Sequence, residues 1–320
     1  MLRVTLGHAV VAFGIVLSVG GLGGFAQALL TASVVPDGDL LLRMGAAAVG
    51  ASAGLALPIG ALAGIAGGLR RLADDGAWLG LRCAGLGGRA LVAPVGVLLA
   101  AAAGVWLGVT HVGEPAARAA MREARVTAAV RVRPEEGRAL RVGGWTVAVE
   151  DGVLHFAGGD IVGLAHAWAL SPAETGVIVH LDDGTLRTPT STVQFGAIDA
   201  PLSLGDDRKV HPSERSSPDL ARQVAVSAAL GRDAYERWIL WKRTLLPFCL
   251  VPIGLAAVPL ALGRRSAVAV IVGAQVFSLW GLVRLADQGI GALGPVGAAA
   301  IVGGAALVWP VATWSRWADR

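Results

Sequence analysis

Long apolar runs, separated by short charged connections, dominate the chain. Six of them approach or exceed the roughly 20 residues that a helix needs to cross a bilayer. The runs cover residues 4–30, 44–69, 90–109, 244–262, 266–283 and 290–311. The pattern predicts an α-helical integral membrane protein with six transmembrane helices, three before and three after a polar middle region.

The middle region, residues 111–243, has the alternation of apolar and polar positions that is typical of β-strands. In the stretch WTVAVE, Val147 and Val149 share the face of Trp145, and the intervening residues point the other way. Further short extended runs follow at close intervals. Several short strands separated by turns predict an inserted β-sandwich or jelly roll.

Turn and cap residues refine this organisation. Asp183-Gly184 lies between two extended runs and predicts a hairpin. Ser217 is a candidate helix cap, Pro218 suits a first helical turn, and Gly231 predicts a break in the helix that follows. The expected parts are residues 1–110 with three spans, 111–215 as the β domain, 216–243 as a connecting helix and 244–320 with three spans.

Composition and charge support a membrane protein and predict its orientation. Of the 320 residues, 54% are hydrophobic and only 16% are charged, against about 25% charged in soluble domains. Basic residues in short connections favour the cytoplasmic side. With a cytoplasmic N-terminus, that side holds Arg3, Arg70, Arg71, Arg82, Arg89, Arg264, Arg265, Arg316 and Arg320, while the other holds Arg43 and Arg284. We therefore expect both termini in the cytoplasm and residues 111–243 outside it.

The sequence lacks the motifs that are typical of several classes of function. The isoelectric point is about 9.8, but no dense basic run with interleaved aromatic residues predicts nucleic-acid binding. No Walker A loop, H-E-x-x-H pair or G-x-S-x-G motif occurs, so we expect no enzyme activity and no cofactor. The spacing of Cys83 and Cys249 matches no metal site. A metal site at His155, His166 and His180 has no motif to support it, and solvated or structural histidines are the more common outcome.

One charged stretch, GGLRRLADDGAWLGLRCAGLGGR at residues 67–89, interrupts the apolar pattern. Its apolar residues have helical spacing, and Arg71, Asp75 and Arg82 lie near the opposite side. We expect a short amphipathic helix along the cytoplasmic membrane surface. The stretch could instead be a solvated loop that only fixes the membrane topology, or it could be a docking element for a cytoplasmic partner. Composition alone does not decide between these two functions.

The same stretch resembles a segment that follows the second span in the LptF/LptG family of lipopolysaccharide-export permeases. The matching positions are Arg71, Leu72, Asp75, Leu81, Arg82, Ala84, Gly85 and Pro94. The family also has three spans, a periplasmic strand domain and three further spans. This chain departs from the family at Ala77, where a glutamate that helps engage the ATPase is usual.

The resemblance implies a permease subunit in the bacterial inner membrane. A second such permease and a cytoplasmic ABC ATPase dimer would be its partners, and ATP hydrolysis would occur in the ATPase. The substrate would be lipopolysaccharide or a related glycolipid, passed to periplasmic jelly-roll bridge proteins. By the same resemblance, the ATPase contact would involve Arg71, Leu72, Asp75, Arg82 and Gly85.

Arg284, at the outer end of the fifth span, is a candidate contact for an anionic lipid head group, although simple snorkelling to the interface would also place it there.

Two other functions fit the same pattern. One is the permease of a different ABC exporter, which moves a lipoprotein or another lipid. The other is a membrane scaffold with an extracytoplasmic β domain and no transport activity. The scaffold would have no ATPase partner, and replacing Arg71 and Arg82 in it would have no effect.

Overall fold

The structure is a computed structural model, and the chain divides into two compact units. The structure describes residues 2–31, 37–131, 136–137, 139–142, 145–173, 176–203, 211–229, 231, 233–263 and 268–318. The first unit, called the membrane unit below, comprises Met1–Leu22, Val49–Ala117 and Arg215–Arg320. The second, called the sheet unit, comprises Gly23–Ala48 and Arg118–Glu214.

Helices account for most of the described residues. They are α1 (Leu2–Thr31), α2 (Gly38–Asp74), α3 (Ala77–Cys83), α4 (Val92–Gly108), α5 (Glu114–Arg131), α6 (Ser217–Ala228), α7 (Ala234–Leu255), α8 (Ala257–Gly263) and α9 (Val268–Ala318). A π-helical turn, Val109–Gly113, joins α4 to α5. The predicted β domain at 111–215 therefore begins with a helix, which the alternation pattern did not predict.

Five helical segments among the described residues are long and apolar enough to cross a bilayer. They are Gly7–Gln27, Gly38–Asp74, Gly88–Ala128, Ala234–Leu262 and Val268–Ser315. The chain is thus a multi-pass membrane protein. The sequence predicted six spans, and the difference arises because the last two predicted runs fall within one segment of 48 residues.

That last segment is not one straight helix. Gly294 inside α9 has φ 66° and ψ 174°, which is not helical. Contacts with α7 show the direction of each part. Before Gly294, Lys242 contacts Asp287 and Ile253 contacts Gln275. After Gly294, Leu245 lies beside Gly303 and Leu255 contacts Trp314. The first part therefore runs antiparallel to α7 and the second part runs parallel to it. It follows that α9 consists of two helices of opposite direction joined near Gly294.

Glycines allow close helix packing in the membrane unit. A Cβ atom added to Gly50 would lie 2.9 Å from Ala117, and one added to Gly54 would lie 2.6 Å from the Glu114 carboxylate. At Gly60 the distance to the facing helix would be 2.8 Å. These three glycines therefore lie at close contacts between helices, as small residues in membrane proteins often do.

The connection between the two halves matches its prediction with one change. Helix α6 begins after Ser216, whose hydroxyl accepts the Asp219 backbone N–H, so the cap is Ser216 and not Ser217. Pro218 lies in the first turn as expected. Gly231, with φ 66°, lies between α6 and α7, and the predicted break is confirmed.

In the sheet unit, the described strands form a single antiparallel sheet. The strands are β1 (Leu140–Val142), β2 (Trp145–Glu150), β3 (Val153–Gly158), β4 (Ile161–Ala173), β5 (Gly176–Arg187) and β6 (Thr192–Ser203), and they pair in chain order. A sandwich needs a second sheet and a jelly roll needs strands that cross over, and neither is found among the described strands. The prediction of that architecture was wrong because short turns pair each strand with its neighbour in sequence.

The predicted hairpin at Asp183-Gly184 was also wrong, since both residues lie inside β5. Asp183 has φ 48°, and a Cβ added to Gly184 would lie 2.2 Å from the Leu164 carbonyl oxygen. This glycine therefore serves a close approach between strands. A tight turn with the same dipeptide occurs at Asp151-Gly152, where both φ angles are positive, as a type I′ hairpin requires.

One face of the sheet carries its apolar cluster. Val149 pairs with Leu154, and Val147 pairs with Phe156. The predicted alternation in β2 is confirmed for the residues that defined it. Trp145 and Val147 are half-buried and Val149 is buried, while Thr146 and Glu150 on the other face are exposed. The cluster also includes Ala165, Val179 and Leu181 on the longer strands.

Candidate functional site

The first candidate site is the charged stretch that ends α2. Arg70 forms a two-bond ion pair with Asp74, at 2.7 and 3.1 Å, and Arg71 lies 3.5 Å from Asp75. Both pairs join residues four apart on the helix, which are neighbours on its surface. The side chains of Arg71 and Asp75 are more than half exposed. Exposed pairs of this kind stabilise a fold only slightly, so these charges remain accessible to a partner.

Two glycines divide residues 67–89 into separate elements. Gly76 has φ 72° and separates α2 from α3. Gly85 has φ 79°, and the Leu86 N–H donates to the Leu81 carbonyl while the Gly85 N–H donates to Arg82. This is the Schellman arrangement that ends a helix. The expected short amphipathic helix therefore corresponds to less than the whole stretch. Residues 67–89 contain the end of α2 and the seven-residue helix α3, which is bounded by the two left-handed glycines.

The apolar residues of this segment point in two directions. Leu69 is fully buried, and Leu72 and Trp78 pack against the main core of the membrane unit. Leu79 is 64% exposed and Leu86 is 45% exposed. The segment is thus attached to the helices through three side chains and presents the other two outward.

The outward side chains form a surface that we call the α3 surface, consisting of Arg71, Leu79, Arg82 and Leu86. All four are exposed. None of the α3 residues is buried. The resemblance also placed Leu72 and Gly85 at the partner contact. Leu72 is half-buried and packs against the core, whereas Gly85 is exposed and ends α3. Ala77 begins α3 and is exposed.

A second candidate site joins α4, α6 and α7 around Arg243. Pro247 has no N–H, so the Arg243 carbonyl lacks the donor that a helix normally supplies four residues later. The Thr110 hydroxyl in the π-helical turn lies 3.0 Å from this carbonyl. The Arg243 side chain is buried and donates to the Arg215 carbonyl and the Ser217 hydroxyl.

Similar contacts recur farther along α7 and α8. Pro259 leaves the Leu255 carbonyl without a helical donor, and the Trp314 ring N–H donates to it at 3.3 Å. The Gln275 amide, which is 1% exposed, donates to the Ile253 carbonyl at 2.8 Å. In a bilayer, backbone groups freed by proline need such partners because no water is present.

The third candidate site is an ion pair between α7 and α9. Lys242 Nζ lies 2.9 and 3.1 Å from the two oxygens of Asp287. The Trp238 ring N–H also donates to Asp287, at 2.6 Å, and Lys242 lies over the Trp238 ring. Trp238 is fully buried, and about a quarter of each charged side chain is exposed. Ionisable residues in membrane segments are costly and often functional.

Arg284, one turn before Asp287, is exposed and lies over the ring of Trp280 at 5.1 Å. Trp280 is itself 50% exposed. A cation stacked on an indole ring is attracted to its negative face. The sequence placed Arg284 at the end of a span, and the structure adds its aromatic neighbour.

The sheet unit contains a polar chain across three strands. The Ser171 hydroxyl lies 2.7 Å from His180 Nε2, and His180 Nδ1 lies 2.6 Å from Asp199. The Asp199 side chain is 72% exposed. Catalytic triads hold their carboxylate buried, so we assign this chain to stabilising the register of β4, β5 and β6. Within the described residues, no group of three or more potential metal ligands was found.

Sequence reasoning singled out Arg71, Arg82 and Arg284 but missed the pair of Lys242 and Asp287. These two residues are far apart along the chain, and the antiparallel packing of α7 against the first part of α9 brings them together. One feature could have revealed them, since Lys242 is one of only two lysines among 27 basic residues.

No protein-family model matches the sequence, and no curated protein matches it either. The resemblance to the LptF/LptG permeases therefore remains a prediction.

Proposed function

We propose that the chain is a permease subunit of an ABC-type exporter that extracts an amphipathic glycolipid, such as lipopolysaccharide, from the bacterial inner membrane. One observation carries the proposal. The α3 surface is exposed on one side and fixed to the core of the membrane unit on the other, through Leu69, Leu72 and Trp78. A partner that moves α3 would therefore move the transmembrane helices with it.

The proposal includes a six-span topology with both termini in the cytoplasm. The two antiparallel parts of α9 are the fifth and sixth spans. A single straight helix of 48 residues would be about 72 Å long, against roughly 30 Å for the hydrocarbon core. The α3 surface is then cytoplasmic, and residues 111–243 are extracytoplasmic.

In this function the protein itself performs no bond chemistry. A cytoplasmic ABC ATPase dimer binds the α3 surface, and a second permease of the same type completes the lipid path. Arg71 and Arg82 supply charge at the ATPase contact, and Leu79 and Leu86 supply apolar area. The lipid passes to jelly-roll proteins outside the membrane. The sequence resemblance to LptF/LptG permeases supports this assignment of partners.

Co-purification from native membranes in mild detergent tests the proposal. The tagged protein should retain an ABC ATPase and a phosphorylated glycolipid, both identified by mass spectrometry. The double variant Arg71→Glu, Arg82→Glu should lose the ATPase and remain monodisperse. Arg222→Glu is the matched control, because Arg222 is an exposed arginine on α6.

Two outcomes would count against the export function. If no ATPase is retained while the membrane unit stays intact, the chain is a membrane scaffold. If an ATPase is retained with a lipoprotein or another lipid in place of a glycolipid, the exporter assignment stands and the cargo assignment fails.

A further inference from the structure

We propose that Lys242, Trp280, Arg284 and Asp287 form a binding site for the phosphate of an anionic membrane lipid. We call these four residues the α7–α9 cation site. The proposal goes beyond export, because a lipid at this site need not be the exported molecule. It concerns the contact between this protein and the bilayer around it.

Both cations lie at the same level of the membrane unit. Lys242 lies two residues before the apolar run 244–262, and Arg284 directly follows the run 266–283. Because α7 and the first part of α9 are antiparallel, these two ends meet, as the bond between Lys242 and Asp287 shows. Cations and tryptophans at the ends of spans occupy the head-group region of a bilayer.

The charges leave one cation without a counter-ion. Asp287 already accepts bonds from Trp238 and, through both oxygens, from Lys242. Among the described residues, no carboxylate lies within ion-pair distance of Arg284. Lys242 and Arg284 together with Asp287 carry a net charge of +1. A phosphodiester, such as that of phosphatidylglycerol, carries the single negative charge that balances it.

The geometry leaves Arg284 able to bind this phosphate. Its guanidinium carbon lies 5.1 Å from the centre of the Trp280 ring. A guanidinium has five N–H donors, and a contact with an aromatic ring does not occupy all of them. Arginine edges match the paired oxygens of a phosphate. Lys242 has three donors and gives two to Asp287, so its third donor is available to a second phosphate oxygen.

Trp280 favours a lipid ligand over free phosphate. Its ring is half exposed, and the next residues toward the middle of the span include Phe277, which is 73% exposed. An acyl chain that extends from a phosphate at Arg284 would pass along these apolar side chains. Free inorganic phosphate would gain nothing from them.

Lipid retention measured by quantitative mass spectrometry tests the site. The full-length protein is reconstituted in nanodiscs of mixed phosphatidylglycerol and phosphatidylcholine, then returned to mild detergent, and the retained lipids are counted. We expect phosphatidylglycerol to be enriched over phosphatidylcholine. Arg284→Gln should lower that enrichment by about fivefold, the effect of one basic residue near an anionic surface, while Arg284→Lys should keep most of it.

The control is Arg222→Gln, which removes one positive charge from the same unit at an exposed position on α6 and should change nothing. If Arg284→Gln and Arg222→Gln give equal enrichment, Arg284 only snorkels to the interface and the proposal is overturned. Competition with inorganic phosphate and with a phosphorylated glycolipid identifies the ligand. Displacement by inorganic phosphate alone would contradict a lipid site.

Failure of this site and failure of the export function can be told apart. Retention of the ATPase by the Arg284→Gln variant reports on the α3 surface alone. The lipid-retention test can therefore contradict the α7–α9 cation site without contradicting the export function, and loss of the ATPase can contradict the export function without contradicting the cation site.

Discussion

At the scale of single residues, prolines explain why α7 and α8 depend on side chains from other helices. Each proline removes a donor and leaves the carbonyl four residues earlier unpaired. Thr110 and Trp314 supply replacement donors for the carbonyls that Pro247 and Pro259 leave free. These contacts between helices therefore depend on where the prolines lie. Replacing a proline restores the backbone donor and so tests whether the side-chain hydrogen bond is needed.

Thr110→Val should destabilise the protein by about 1 kcal/mol, a typical value for a hydrogen bond between transmembrane helices. In a Pro247→Ala background the new backbone N–H can bond to the Arg243 carbonyl, so the same change should cost much less. Unfolding in mixed micelles with increasing dodecyl sulfate measures both effects. Equal costs in the two backgrounds would show that the bond from Thr110 to its own helix, 3.1 Å from the Trp106 carbonyl, is the important one.

The pair of Lys242 and Asp287 should behave as a coupled unit. Each of the changes Lys242→Gln and Asp287→Asn leaves one charge without its partner, whereas the double variant removes both charges. We expect a coupling free energy of about 1 kcal/mol in a double-mutant cycle. Additive effects of the two changes would show that the contact contributes nothing to stability.

At the scale of elements, the turn after α3 depends on the backbone of Gly85. Added Cβ atoms at Gly80 and Gly85 would both meet open space, but only Gly85 has a positive φ. Gly85→Ala should therefore cost about 1 kcal/mol, and Gly80→Ala should stabilise the helix by a similar amount. Limited proteolysis of residues 77–91 measures the local effect. Faster cleavage in both variants would contradict the assigned turn.

The sequence predicted most elements but not where they bend. The apolar runs gave α1, α2, α4, α7 and α9 because a helix that crosses a membrane needs a long apolar stretch. The division of residues 67–89 was missed, because the apolar spacing continues through Gly76 and Gly85 and only the backbone angles show the breaks. The Asp183-Gly184 error has the same origin, since a dipeptide that favours positive φ occurs both in turns and inside strands.

At the scale of the whole molecule, the direction change at Gly294 decides the topology. Single cysteines introduced in a background without Cys83 and Cys249 should show it through labelling by an impermeant maleimide. Ala77→Cys and Ser315→Cys should react from one side of sealed vesicles, and Gln288→Cys from the other. Labelling of Gln288→Cys and Ser315→Cys from the same side would contradict two spans in α9.

The candidate sites could be predicted only where their residues are close in sequence. The α3 surface lies within one stretch, so its spacing gave Arg71 and Arg82. The contact between Lys242 and Asp287 depends on helices that meet only after folding. No periodicity within either helix encodes that contact, and residue types alone do not show which charges will pair.

Site-specific photo-crosslinking tests the central claim most directly. A benzophenone amino acid replaces Leu79 on α3, and as a control it replaces Phe277 on α9, which is similarly exposed. If the α3 surface binds an ABC ATPase, only the probe at position 79 should form an adduct with a nucleotide-binding protein in native membranes. Efficient crosslinking at position 79 to lipid alone, or an ATPase adduct from both positions, would contradict the proposed function.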